Sequence, residues 1–138
     1  VYALLGDGEL AEGSNWESMM AAAHHRLDNL VAIIDRNTLQ ITGPTEDVCR
    51  LEPLGEKLEA FGWSVVTVDG HDIAALGRVL GEAPLEVGKP SAVIARTIKG
   101  KGISFMENDP KWHHHVPDDE QYERAQQELD ALLAEITL

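Results

Sequence analysis

The sequence predicts an α/β fold, a parallel sheet flanked by helices, on three observations. Short apolar runs recur along the chain at Val1-Tyr2-Ala3-Leu4-Leu5, Val31-Ala32-Ile33-Ile34-Asp35, Trp63-Ser64-Val65-Val66-Thr67-Val68-Asp69 and Ser91-Ala92-Val93-Ile94-Ala95-Arg96. The second run is continuous and too short for a helix, as in a strand covered on both faces. Between the runs lie segments with apolar residues at helical spacing, and this alternation favours a parallel sheet.

The first strand ends at Gly6-Asp7-Gly8. Trp16, Met19, Met20, Ala23 and Leu27 then fall on one helical face, with Ser14 and Glu17 placed as a capping box, which predicts a helix from residues 11–15 to about residue 26. Asn29-Leu30 leads into the second strand, completing a βαβ unit. Residues 37 to 52 lack periodicity and contain Gly43-Pro44-Thr45, so they read as a surface excursion. Leu54, Leu58 and Phe61 mark a short helix that Gly62 stops. Asp72 is placed to cap a helix carrying Ile73, Leu76 and Leu80. After the last strand, Gly100-Lys101-Gly102 opens an irregular stretch ending in Trp112-His113-His114-His115-Val116-Pro117. Tyr122, Ala125, Leu129, Leu132 and Ile136 define a final amphipathic helix. No repeat or linker divides the chain, and its 138 residues with 43% apolar content suit one core. The run at Val1 reads as an interior strand, so upstream sequence is expected and residues 1–138 are taken as a partial domain.

Acidic residues outnumber basic ones by 24 to 11, for a net charge of −13. No general positive field is available for nucleic acid or anionic lipid, and an anionic ligand must be held locally. No apolar run is long enough for a membrane span and no secretory leader pattern opens the chain. The single cysteine, Cys49, excludes an internal disulfide and suits a reducing compartment. A cytoplasmic protein is expected.

In an open parallel sheet, ligands bind outside the carboxyl ends of the strands. Two such ends carry unusually polar residues here, Gly6-Asp7-Gly8 and Asp35-Arg36-Asn37. Glycines let backbone approach a ligand closely, amides opening a helix favour phosphate oxygens, and Asp7 and Asn37 offer hard oxygens to magnesium. A metal-bridged diphosphate is the implied chemistry. Taken alone, Gly-Asp-Gly is a common strand-to-helix turn; its distance from Asn37 and the intervening pattern favour the ligand site.

From Gly6 through Asn37, GDGELAEGSNWESMMAAAHHRLDNLVAIIDRN resembles the thiamine-diphosphate motif, which opens with GDG and closes with an asparagine. GDGELAEGSNWE, LDNLVAIIDRNTLQITG, GWSVVTVDGHD, TIKGKGISFMEN and WHHHVP together resemble the transketolase family, most closely its members split into two subunits. The resemblance implies a thiamine diphosphate-binding fold, its diphosphate-side domain, with magnesium, or calcium or manganese in its place, held by Asp7, Asn37 and the carbonyl of Leu39. Gly6, Gly8 and Glu9 belong to the same diphosphate-binding segment. Ile41 matches an apolar residue that packs on the cofactor, with an ordinary core role as the alternative. Glu12 matches a glutamate at the subunit contact that bonds toward the partner's catalytic glutamate; as a helix-start acid it is also favoured by the helix dipole. The family's loop after the last strand supplies a histidine near the reacting carbon. Trp112-His113 fits the split members, whereas counting back from Pro117 selects His114. Arg36 departs from the polar pair that usually closes the motif, and Lys99 receives no role because family members are often apolar there.

The activity implied is transfer of a two-carbon ketol unit from a ketose phosphate to an aldose phosphate. The partner implied is a pyrimidine-binding, C-terminal transketolase subunit that supplies the activating glutamate, in a homodimer or heterotetramer, and this chain alone is expected to be inactive. A deoxyxylulose phosphate synthase-like ketol transferase and a noncatalytic or truncated assembly subunit remain alternatives. Neither a Walker-type nor a GxGxxG nucleotide fingerprint occurs.

Overall fold

In the computed structural model, which describes residues 1–136, four parallel strands form one sheet: β1 (Tyr2–Gly6), β2 (Val31–Arg36), β5 (Ser64–Asp69) and β6 (Ser91–Arg96), in the order β1-β2-β6-β5. The last two residues of the expected 1–138 span lie outside the described residues. A small antiparallel pair, β3 (Leu39–Gln40) with β4 (Gly43–Pro44), occupies the excursion after β2. The helices are α1 (Gly13–His24), α2 (Thr45–Val48), α3 (Leu54–Ala60), α4 (Ile73–Gly81) and α5 (Asp119–Ile136). The α/β class with helices flanking a parallel sheet is therefore the observed fold.

The core forms between the sheet and α1 with α3. Ala32, Ile34, Ala92 and Ile94 meet Leu10, Met19, Ala22, Leu51, Leu54, Leu58 and Trp63. The central strand β6 is buried along Ser91–Ala95, which explains its unbroken apolar run. The Trp63 indole donates to the carbonyl of Met19 at 2.9 Å, giving a large buried ring its polar partner. Trp63 itself precedes β5 rather than belonging to it.

Three local expectations change. Helix α1 begins at Gly13 after the extended Glu12, and no side chain caps it, because Asp7–Ala11 already forms a 3-10 turn feeding into the helix. Asn15 closes that junction by donating from Nδ2 to the Glu9 carbonyl at 2.7 Å. Ser14 and Glu17 are thus helix residues, and the carboxylate that reaches back is Glu9, accepting from the Gly6 amide at 2.8 Å. The buried face of α1 carries Met19 and Ala22, with Trp16 and Ala23 beside it, while Met20 and Leu27 point to solvent. Residues 37–52, expected as a surface excursion, instead form β3, β4 and α2 and bury Thr45 and Leu51, whereas Asp72 caps α4 as expected by accepting from the Ala75 amide at 2.8 Å, and Gly62, at φ +92°, closes the turn after α3.

Candidate functional site

Strands β1 and β2 pair directly, with Gly6 opposite Asp35, so the Gly6-Asp7-Gly8 turn and Arg36-Asn37 leave the sheet side by side at its carboxyl end. Close approach explains one of the glycines. A Cβ on Gly8 would stand 2.9 Å from the Cβ of Gln40, so any side chain there would push β3 away from the turn.

Arg36 organises this junction. Its side chain is 5% exposed, that of Asp7 1%. Nη1 donates to Asp7 Oδ2 at 2.7 Å and to Thr45 Oγ1 at 2.6 Å. Nη2 donates to Glu46 Oε1 at 2.8 Å and Glu52 Oε1 at 3.0 Å, and Nε to Glu52 Oε1 at 3.2 Å, so every donor of the guanidinium fork is used. Burial alone lowers the Arg36 pKa, but the bonds and charges of Asp7 and Glu52 outweigh it and hold the pKa above its ordinary value. The Leu54 amide, followed by Arg36, holds the Glu52 carboxyl below the usual range despite some burial.

Asp7 Oδ2 also accepts from the Thr38 amide at 2.7 Å, and Asn37 Oδ1 accepts from the Leu39 amide at 3.0 Å. Between them Thr38 sits at φ +67°, left-handed backbone that a β-branched residue adopts only under strain. Meanwhile Asp7 Oδ1 is buried with no hydrogen-bond partner among the described residues. A buried carboxylate oxygen without a donor is costly unless something cationic meets it.

Asp7 lines a pocket of about 510 Å³ together with Gly6, Gly8, Glu9, Glu12, Asn37, Leu39, Ile41 and His113, and with Gln40, Thr42 and Lys99. Every site residue expected from sequence except His114 is in that lining. His114 stacks edge-on against His113, with ring centroids 4.5 Å apart, and does not line the pocket. The His113 loop is tied down behind the site. The Trp112 indole donates to the Phe105 carbonyl at 3.0 Å, and Asp109 accepts from the Lys111 amide at 3.0 Å to cap the 3-10 turn Pro110–His113. Ile41, though apolar, is 60% exposed at the pocket, so it belongs to no core among the described residues.

Sequence reasoning misses Gln40, Thr42, Lys99 and Arg36. Gln40 and Thr42 alternate with two residues that it selects, Leu39 and Ile41, which is a usable signal. Arg36 shows in sequence only as a departure from a motif; its acidic partners at 46 and 52 lie in the segment without periodicity. The exposed lone cysteine, Cys49, is outside the pocket lining.

Residues 1–131 match the family model described as "Transketolase, thiamine diphosphate binding domain". The chain belongs to this transketolase family. It is 50% identical over 129 residues to a subunit of the apulose-4-phosphate transketolase of Actinobacillus succinogenes, covering 94% of this chain and 46% of that protein. It is 42% identical over 130 residues to the 6-deoxy-6-sulfo-D-fructose transketolase subunit SqwG of a Clostridium species, covering 94% of this chain and 47% of that protein. Among solved structures, the transketolase of Campylobacter jejuni superposes with a TM-score of 0.84 at 32% identity, over 94% of this chain and 20% of that one. This transketolase-family chain thus spans about half the length of the subunit relatives it matches.

The residues present fit a divalent cation and a diphosphate. Asp7 brings an unpartnered oxygen, and Asn37 and Leu39, whose side-chain amide and backbone carbonyl are hard donors, line the same pocket. The lining carries Asp7, Glu9 and Glu12 against one lysine, Lys99. An anionic ligand needs a dication to enter such a lining.

Proposed function

We propose that this chain is the diphosphate-binding side of a two-subunit transketolase, binding magnesium thiamine diphosphate and, with a pyrimidine-binding partner subunit, transferring a two-carbon ketol unit from a ketose phosphate to an aldose phosphate. The observation that carries the reading is the orphaned Oδ1 of Asp7 within a pocket that also presents Asn37 and Leu39. Family membership supports it, as do relatives named as subunits of transketolases. The lone thiol Cys49 supports a reducing, cytoplasmic setting.

In this reading Asp7, Asn37 and the Leu39 carbonyl hold the cation, and Gly6, Gly8 and Glu9 border the diphosphate. Bound there, thiamine diphosphate supplies a nucleophilic carbanion and an electron sink for carbon–carbon cleavage. The chain's own residues bind and orient. Ile41 offers an apolar wall, since its exposed side chain has no other cover among the described residues. His113, which lines the pocket, holds or passes a proton at a substrate hydroxyl in this reading. Glu12, exposed at the pocket edge, is the group that meets the partner's glutamate.

Calorimetric titration of the complex of this chain with its co-purifying partner, using thiamine diphosphate and magnesium, tests the reading. Binding is expected in the parent complex and is lost in Asp7→Ala combined with Asn37→Ala; undiminished binding in that double variant sinks it. Two of the subunit relatives are named for apulose 4-phosphate. Including that sugar beside common ketose phosphates in a turnover assay distinguishes a specialised from a general ketol donor.

A further inference from the structure

The turn after β5, Asp69-Gly70-His71-Asp72, lies outside the pocket lining yet touches the segment that supplies two of its members. The Gly70 amide donates to the Arg96 carbonyl at 2.7 Å. A Cβ on Gly70 would stand 2.5 Å from Cγ2 of Thr97, so only glycine lets the turn come this close to the end of β6. Asp69 Oδ1 accepts from the His71 amide at 2.9 Å, and the Asp69 carbonyl accepts from the Asp72 amide at 3.2 Å, which fixes the turn beside the cap of α4. So held, His71 accepts from the Ile98 amide at 2.8 Å through Nε2.

Beyond Ile98 the chain is tied to itself. The Lys99 carbonyl accepts from the Asn108 amide at 2.9 Å, Glu107 Oε1 from the Gly102 amide at 3.1 Å, and the Phe105 carbonyl from the Trp112 indole at 3.0 Å. Lys99 at one end of this segment and His113 at the other both line the pocket. The orientation of such a cross-tied piece is set by its attachments. One is Thr97, whose amide donates to the Arg36 carbonyl at 3.3 Å and whose hydroxyl donates to Asp35 Oδ1. A second is Glu128 of α5, which accepts from Ser104. The bond from Ile98 to His71 is a third.

We propose that His71 is a positioning residue that anchors the Lys99–His113 segment and thereby sets His113 at the pocket, an inference that rests on the cofactor reading proposed above. A ring nitrogen that accepts carries no proton, so the bond asks only for an acceptor at that distance from the backbone. A misplacement of about 1 Å by a change far from the chemistry can cost about 10²-fold in rate, so one anchor lost at a remote turn is enough to matter. The His71 side chain is exposed, and its replacement empties no core. If His71 merely supported the fold, its loss would act independently of His113. If it positions His113, its loss matters little once that imidazole is gone.

Two measurements on the intact complex separate these roles. The first is hydrogen–deuterium exchange without cofactor. His71→Leu removes the acceptor and is expected to speed exchange across residues 98–113 while β5 and β6 stay as protected as in the parent. His71→Gln, whose side-chain oxygen offers an acceptor at a similar reach, is expected to restore the parent pattern. The second is turnover at saturating cofactor. His71→Leu is expected to lower kcat by up to about 10²-fold, His71→Gln to recover most of that loss, and His71→Leu to add little in a His113→Ala background, because effects exerted through one group do not add. Unchanged exchange or unchanged kcat in His71→Leu overturns the positioning role, as do equal losses in the two His71 variants or full additivity with His113→Ala. Lost protection throughout β5 and β6 overturns it too, in favour of a structural role. A parent complex that fails to bind thiamine diphosphate removes the cofactor reading, while the exchange measurement still decides whether His71 anchors the segment.

Discussion

At the pocket mouth two neighbouring histidines compete for one role, and their placement separates them. His113 lines the pocket while His114 packs edge-on behind it, so the two should differ sharply in kinetics. In the assembled enzyme, His113→Ala is expected to lower kcat by about 10²–10⁴-fold, the usual contribution of a positioned proton-transfer group, and His114→Ala to change it by less than about tenfold. Steady-state turnover of both variants checks this, and equal losses refute the assignment. Thr38 carries an expectation of its own. A left-handed conformation costs a non-glycine residue about 1–2 kcal/mol, while glycine adds about 0.5–1 kcal/mol of entropy to lose on folding. Thr38→Gly should therefore raise stability slightly, by up to about 1 kcal/mol in urea unfolding. Its strain is invisible in sequence, where threonine signals a strand or a turn; it shows in the backbone angle, with Asp7 and Asn37 accepting from the 38 and 39 amides.

Among the elements, α5 and the loop that carries His113 depend on one another. Glu128 of α5 accepts from the Ser104 amide at 2.6 Å and hydroxyl at 2.7 Å, and Arg124 bonds Glu128 at 3.0 Å while lying over the Phe105 ring. The Ser104 amide first, with its hydroxyl and Arg124, holds the Glu128 carboxyl below its ordinary value. A lowered folded-state pKa means that the clamp's contribution is complete above the ordinary glutamate value near 4.5 and is lost as pH falls through the folded-state value. The Ser104 amide resonance should therefore shift on acidification below about pH 4.5 in the parent and stay put in Glu128→Gln; a matching shift in both proteins removes Glu128 as the cause. Strands and helices were legible because burial writes itself as periodicity: β2 and β6 in their apolar runs, α3 in Leu54 and Leu58. The 3-10 entry to α1 was not, because the helix-start signals at Ser14 and Glu17 fit a boundary that Glu9 had already resolved upstream, with Asn15 bonding back to it. The pocket lining was largely legible, since Gly6-Asp7-Gly8 and Asn37 lie at the ends of strands whose adjacency follows from the βαβ pattern. Arg36 was not, because its meaning resides in Glu46 and Glu52, brought back by a segment with no periodic signal.

Over the whole molecule, the surfaces left open within this chain are as telling as the core. The final helix buries Ala125 but leaves Tyr122, Leu129, Leu132 and Ile136 exposed, and the edge strand β1 exposes Tyr2 and Leu4. The pocket shares this incompleteness, with Ile41, Glu12 and His113 all exposed at its lining. A transition state for carbon–carbon cleavage needs water excluded and charge held in fixed positions, and a pocket open at Ile41 and His113 provides neither. Turnover should consequently require the partner surface. The purified chain is expected to show no ketol transfer with thiamine diphosphate, magnesium and sugar phosphates. Activity should rise as the pyrimidine-binding partner is titrated in, and should saturate at a fixed stoichiometry. Glu12→Ala, at an exposed position of the pocket lining, should lower the saturated rate while leaving the chain's own melting temperature nearly unchanged, because its exposed side chain supports no contact in the core. Full turnover by the isolated chain, or a Glu12→Ala complex indistinguishable from the parent, would show that the catalytic pocket is complete within one chain.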